Sequence, residues 1–248
     1  MSMTFIPLGV GDAFSALYYS SCLALEADGH WLLIDCPHPI RKMLREASSA
    51  TELLDIDIFD AVVLTHLHAD HCSGLEGFAF ASLFALQRKT KLAVHPQIAA
   101  DLWPHHLAAG MGAVLDPQTG DRTERDLKDF FEIQALSRSG QTRVGPFTIE
   151  CHLTRHHLPT TALRIRAGHR CLGYSADTAF DPQLIRWLSE ADLIIHETNY
   201  GPGHTPYAKL RELPGELRAK MRLIHYPDDF DLTGSAIEPL EQGRRYSV

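Results

Sequence analysis

The chain has 248 residues, 45% of them hydrophobic and 22% charged, which suits one large α/β domain or two small ones and excludes a disordered chain. A formal net charge of −8 leaves no general basic field, so extended nucleic acid is not an expected partner. The opening residues MSMTFIPLGVGDAF lack a basic stretch followed by a long apolar one, and no segment approaches the roughly 18 apolar residues of a membrane span. A cytoplasmic location and no membrane contact are therefore expected.

Taken in chain order, short apolar β-branched runs alternate with helical patterns, the signature of strands and helices in layers. Strands are expected at Thr4 to Leu8, Cys22 to Ala27 and His30 to Asp35, with Asp28-Gly29 as a hairpin turn. Helices are expected at Pro39 to Ala50, Phe78 to Arg88 and Gln97 to His106, and a buried strand at Ala61 to Leu64 ends on a histidine cluster. From Gly110 to Gly145 the periodicity is weak, which reads as a loop, a lid, or a helix with connections. Beyond it, strands are expected at Thr148 to Cys151, Thr161 to Ala167, Arg170 to Tyr174, Asp192 to His196 and Met221 to Ile224. The interleaved helices are Pro182 to Glu190 and Tyr207 to Ala219. No Pro/Gly-rich linker divides the chain, so residues 1–248 read as a single domain. The cysteines, Cys22, Cys36, Cys72, Cys151 and Cys171, are odd in number and form no C-x-x-C pair, which fits reduced, buried thiols.

Histidine stands out. Eight of the 15 copies fall within positions 66 to 71, 156 to 157, 196 to 204 and 225. The segment Thr65 to Gly74 reads THLHADHCSG and puts His66, His68, Asp70 and His71 on one tight turn at a strand's end. Imidazole nitrogens and a carboxylate so concentrated are what a metal site requires.

This H-x-H-x-D-H loop resembles the hallmark of the metallo-β-lactamase superfamily, and the resemblance runs nearly the whole length. LGVGDAF (Leu8 to Phe14) and LLIDCP (Leu32 to Pro37) resemble the family's opening turn and Asp-bearing strand, although a glycine is usual where Pro37 stands. HHLPT (His156 to Thr160), SADT (Ser175 to Thr178) and LIHY (Leu223 to Tyr226) resemble its later metal segments. The resemblance implies a four-layer αββα sandwich, two mixed β-sheets flanked by helices. It implies that His66, His68 and His156 bind one metal, that Asp70, His71 and His225 bind a second, and that Asp177 bridges both. The two carboxylates compensate two divalent cations and leave room for a bridging hydroxide as nucleophile. His156 and His157 are adjacent, and an extended segment would turn them to opposite sides; the family pattern favours His156. Zinc is the expected metal, with manganese or iron as alternatives.

IHETNY (Ile195 to Tyr200) and GHTP (Gly203 to Pro206) resemble the His-Glu and Gly-His segments of the ribonuclease Z-like phosphodiesterase branch. That resemblance implies a catalytic set of Asp70, His204 and Glu197, in which a carboxylate bonded to an imidazole equips it to protonate a leaving oxygen. Pro206 and the Tyr226-Pro227 pair depart from the branch pattern. Only 21 positions separate His156 from Asp177, too few for the tRNA-gripping arm of true ribonuclease Z enzymes. The expectation is therefore a metal-dependent hydrolase of a small phosphodiester or cyclic nucleotide, with a small-molecule substrate and a homodimer as a further possibility. The competing readings are a lactonase or (thio)ester hydrolase, which would not need Glu197 and His204; a one-iron oxidoreductase; a tRNA 3′-processing endonuclease; and a non-catalytic metal-binding module.

Overall fold

The computed structural model describes residues 2–116 and 118–248. Its two large sheets each have seven strands among the described residues. The first runs, in spatial order, Tyr246–Ser247, Met3–Gly9, Cys22–Ala27, His30–Ile34, Phe59–Leu64, Thr90–Val94 and Phe131–Ala135. The second runs Glu238–Pro239, Met221–Ile224, Leu193–Glu197, Arg170–Tyr174, Thr161–Ala167, Phe147–Leu153 and Thr142–Val144.

Side-chain alternation explains the layering. Leu32 and Ile34 point into the core shared by the two sheets, whereas Trp31 and Leu33 point to the opposite face, where they pack with Met43, Leu44, Leu75 and Phe78 of the covering helices. On the far side, Leu184, Ile185 and Leu188 of helix Pro182–Leu188 close over the second sheet. The result is an αββα sandwich of two mixed sheets. Each fully buried Leu or Ile contributes about 1.5–3 kcal/mol, and the double sheet that carries the site is lined with them.

Strand direction sets where chemistry can occur. Met3–Gly9 and His30–Ile34 are both antiparallel to Cys22–Ala27, and His30–Ile34 is parallel to Phe59–Leu64. The C-terminal ends of Met3–Gly9, His30–Ile34 and Phe59–Leu64 thus open on one edge, delivering Val10, Asp35 and Thr65-His66. In the second sheet Arg170–Tyr174, Leu193–Glu197 and Met221–Ile224 are mutually parallel and deliver Ser175 to Asp177, Glu197 and His225. Two backbone bonds stitch the sheets there: Thr161 N donates to the Thr65 carbonyl at 3.0 Å, and His225 N donates to the Val10 carbonyl at 2.8 Å.

Several expectations are corrected. The weakly patterned Gly110 to Gly145 stretch is not a free lid: it supplies a small hairpin, Ala113–Leu115 with Arg122–Glu124, and an edge strand to each large sheet, Phe131–Ala135 and Thr142–Val144. Edge strands are half exposed, which erases the apolar alternation; Pro117 within the stretch lies outside the described residues. The expected helix from Tyr207 to Ala219 is two, Tyr207–Arg211 and Gly215–Ala219, because Pro214 has no N–H to continue the ladder. Helix Phe78 to Arg88 instead spans Leu75–Phe84, and Thr90–Val94 is a central strand that the sequence reading passed over. The Asp28-Gly29 turn has φ of +52° and +80°, as a two-residue hairpin loop demands. All five cysteines are free, and no described helix is long and apolar enough to cross a membrane.

Candidate metal centre

The loop after strand Phe59–Leu64 folds back sharply onto the Asp35 turn. Cys36 N donates to the His71 carbonyl at 2.7 Å and Gly74 N to the Cys36 carbonyl at 2.8 Å. A Cβ on Gly74 would lie 2.5 Å from the Pro37 carbonyl oxygen, so only glycine admits this approach.

Donor atoms converge in two sets. His66, His68, His156 and Asp177 form one, and Asp70, His71, Asp177 and His225 the other. In the first, His68 Nδ1 lies 3.2 Å from His66 Nε2 and 3.0 Å from His156 Nε2. In the second, Asp70 Oδ2 lies 3.3 Å from His71 Nε2 and 3.2 Å from His225 Nε2. Asp177 reaches both: its Oδ2 is 3.7 Å from His66 and from His156 and 3.5 Å from His225, and its Oδ1 is 3.4 Å from His71.

The surroundings fix which ring atoms face inward. His156 Nδ1 donates to the Gly203 carbonyl at 2.9 Å, leaving Nε2 with a lone pair. The Thr65 hydroxyl donates to Asp35 and accepts from His66 Nδ1 at 3.0 Å, with the same outcome for His66. Asp35 Oδ2 accepts from His71 Nδ1 at 2.8 Å. Two lone pairs therefore meet at His68 Nδ1, where one proton could satisfy only one of them, and His71 Nε2 is buried without a hydrogen-bond partner. A cation resolves both. Tetrahedral nitrogen ligands at metal–nitrogen distances of about 2.0–2.1 Å stand roughly 3.3 Å apart, close to the spacings here, and His66, His71 and His156 are each oriented through their other ring nitrogen, as metal ligands usually are. The residues fit a pair of divalent metal ions.

Electrostatics agree. Burial pulls His156 down to about 4, despite its bond to the Gly203 carbonyl, and pulls His66 well below its ordinary value; both offer neutral, ligating rings. Burial opposes charge on Asp177, but His225 and His71 beside it win and hold it ionised. Asp70 is likewise held well below the usual carboxylate range, against its own burial, by the bond from His225 and the closeness of His71. Aiming these donors costs backbone strain: Asp35, Ala176 and His225 are non-glycine residues at φ of +62°, +48° and +60°, about 1–3 kcal/mol each.

Of the residues named from sequence, His66, His68, Asp70, His71, His156, Asp177 and His225 all meet here. His157 is exposed and stands outside the ring of donors. Glu197 and His204 lie alongside. His204 Nδ1 is 3.1 Å from Glu197 Oε1 and 4.0 Å from Asp177 Oδ2. Glu197 Oε1 also accepts from Thr178 N at 2.7 Å, whereas its Oε2 is buried without a partner. Burial and the neighbouring Asp177 push the Glu197 carboxyl well above its ordinary value. Sequence reasoning missed the orienting groups: Asp35, Thr65 and the Gly203 carbonyl. For Asp35 the signal was present as a charged residue directly after the apolar run Trp31 to Ile34.

Fold and donor geometry together define a protein of the metallo-β-lactamase fold. Over 100% of both chains the structure superposes with a TM-score of 0.77, at 20% identity, on the metallo-β-lactamase fold protein YhfI from Bacillus subtilis. The family model described as Anti-Pycsar protein Apyc1 matches residues 3–241, and the chain belongs to that family. Relatives named Anti-Pycsar protein Apyc1 include one from Saccharibacillus brassicae, 32% identical over 97% of this chain and 98% of its own. Another, from Paenibacillus harenae, is 31% identical over 97% and 98%.

Proposed function

We propose that the chain is a metal-dependent phosphodiesterase acting on a small phosphodiester, a cyclic nucleotide in particular, with two zinc or manganese ions held by His66, His68 and His156, by Asp70, His71 and His225, and by Asp177 between them. When bound, such a pair of ions supplies an activated water and neutralises charge building on the attacked phosphoryl group.

The observation that carries the reading is the Glu197–His204 pair beside Asp177. Cleavage of an alkyl phosphodiester joins a water oxygen to phosphorus and breaks the P–O bond to a poor leaving group, which must gain a proton. His204 Nδ1 donates to Glu197, so Nε2 is the atom that meets the leaving oxygen and protonates it. Glu197 accepts the Nδ1 hydrogen bond and fixes the ring's orientation. Asp70, held ionised, accepts a hydrogen bond from the attacking water. A thioesterase has less need of this pair, because a thiolate leaves without a proton; a lactone also releases an alkoxide, and the substrate panel separates that reading from this one.

Size and charge favour a compact substrate. Between His156 and Asp177 the chain forms only a hairpin, Thr161–Ala167 with Arg170–Tyr174, with no projecting arm to grip a long nucleic acid, and the net charge is −8. The test is a substrate panel on metal-loaded protein. A cyclic nucleotide or bis(p-nitrophenyl) phosphate should show a higher kcat/KM than any lactone, β-lactam or precursor tRNA. Activity should vanish on chelation and return with zinc or manganese. Efficient lactone cleavage with every phosphodiester left intact would overturn the proposal.

A further inference from the structure

The loop following strand Met3–Gly9 leaves the first sheet on the same edge as Asp35 and His66, and it is tied down on two sides. On one side, the Val10 carbonyl accepts from His225 N at 2.8 Å, and Gly11 bridges to Tyr226. Asp12, only 6% exposed, accepts from Phe14 N at 2.9 Å and, through its other oxygen, from Asn199 Nδ2 at 3.0 Å. On the other side, Asp228 accepts from the Ser15 hydroxyl at 2.5 Å and from Ala16 N at 2.8 Å. The next residue, Asp229, accepts from the Tyr200 hydroxyl at 3.2 Å. One short segment beyond His225 thus pins two loops, one after strand Met3–Gly9 and one after strand Leu193–Glu197.

These loops carry Phe14, 91% exposed and the most exposed large hydrophobic side chain among the described residues, and Tyr200, 66% exposed. A lone exposed apolar residue needs no explanation. Here two aromatic rings sit on mutually bonded loops at the edge bearing the metal donors, on backbone too constrained for Phe14 to turn inward. We propose that Phe14, with Tyr200 across the Asp12–Asn199 bond, is the stacking platform for the heterocyclic base of the substrate. This rests on the phosphodiesterase reading above. The polar side chains Asp12, Ser15 and Asn199 of the two loops, and Asp228 and Asp229 of the segment that pins them, are engaged with protein partners. Affinity therefore comes from the π-face common to all bases, with little preference among them.

The test compares wild type, Phe14→Ala and Phe14→Trp on a 3′,5′-cyclic nucleotide and on the ribose cyclic phosphate that lacks a base. Phe14→Ala should raise KM for the nucleotide about ten- to hundred-fold with kcat unchanged, collapsing the preference for the base-bearing substrate; Phe14→Trp should retain it. No change, or an equal loss on both substrates, overturns the proposal. So does a KM change that tracks dissociation of a dimer in sedimentation at the assay concentration, which would make Phe14 a contact between copies. Calorimetric titration with a nucleoside 5′-monophosphate reads the same contact without turnover. If wild type cleaves neither substrate yet binds the mononucleotide about tenfold or more tighter than Phe14→Ala does, the platform stands and the phosphodiesterase reading falls. If wild type binds no mononucleotide, the platform falls whatever is cleaved.

Discussion

Replacing His204 by alanine isolates proton donation from metal binding. Its Nδ1 is held by Glu197 at 3.1 Å, so the variant should lose the Nε2 proton donor and leave the seven proposed metal ligands in place. A positioned general acid contributes about 10²–10⁴-fold, or roughly 2.7–5.5 kcal/mol of barrier, and the loss should fall in that range for an alkyl leaving group such as the ribose oxygen of a cyclic nucleotide. A nitrophenolate needs little protonation, so bis(p-nitrophenyl) phosphate should be cleaved at nearly the wild-type rate. Glu197→Gln keeps an acceptor for Nδ1–H but can no longer exchange a proton with the ring, and should fall between the two. The assay is kcat/KM on both substrates, with elemental analysis of the same samples. The metal count matters because Glu197, His204 and His225 also bring donor atoms within 4.8 Å of one another. Equal losses on both substrates, or one ion fewer in His204→Ala, would refute the reasoning.

Protein purified without chelator should carry two metal ions per chain, and one ion per fully active chain would contradict the proposed ligand set. Asp177→Ala, which removes the carboxylate common to both donor sets, should lower metal content and activity together. His156→Ala should lose metal whereas His157→Ala, altering an exposed ring outside the donor sets, should bind nearly as wild type; the reverse order in a metal titration would show that the wrong histidine was chosen. Asp35→Asn keeps the volume but weakens the hold on His71 and Thr65, and should reduce metal affinity about 10–100-fold without touching the substrate. Unchanged affinity would make Asp35 merely a core residue.

Much of the layering was readable because the periods are local. Strands Cys22–Ala27, Thr161–Ala167, Arg170–Tyr174 and Met221–Ile224 lie where their apolar runs predict, since a strand buried between layers must be apolar along its length. Two of the strands that escaped, Phe131–Ala135 and Thr142–Val144, are edge strands, and with one side open to water they carry little pattern; another, Thr90–Val94, lies inside its sheet but has an apolar run of only three residues, Leu92 to Val94. The apolar spacing from Tyr207 onward predicts one helix, but the missing N–H of Pro214 divides it in two.

The H-x-H-x-D-H turn was determined by sequence alone, because four donor residues within six positions share one short loop whatever the rest of the chain does. The alternation that turns Leu32 and Ile34 one way and Leu33 the other was equally local. Only the tertiary structure decided what completes the centre. His156, Asp177 and His225 come from the second sheet and meet the turn because two sheets open on a common edge and are bonded across it at Thr65 and Val10. The same packing sets His156 apart from His157: the Gly203 carbonyl, 47 residues away, bonds the ring of His156, which lies among the candidate donors, while its neighbour stays at the surface. Asp35 reaches His71 across 36 residues for the same reason. Such contacts depend on chain segments far apart in sequence, and no local pattern of residues encodes the distance between them.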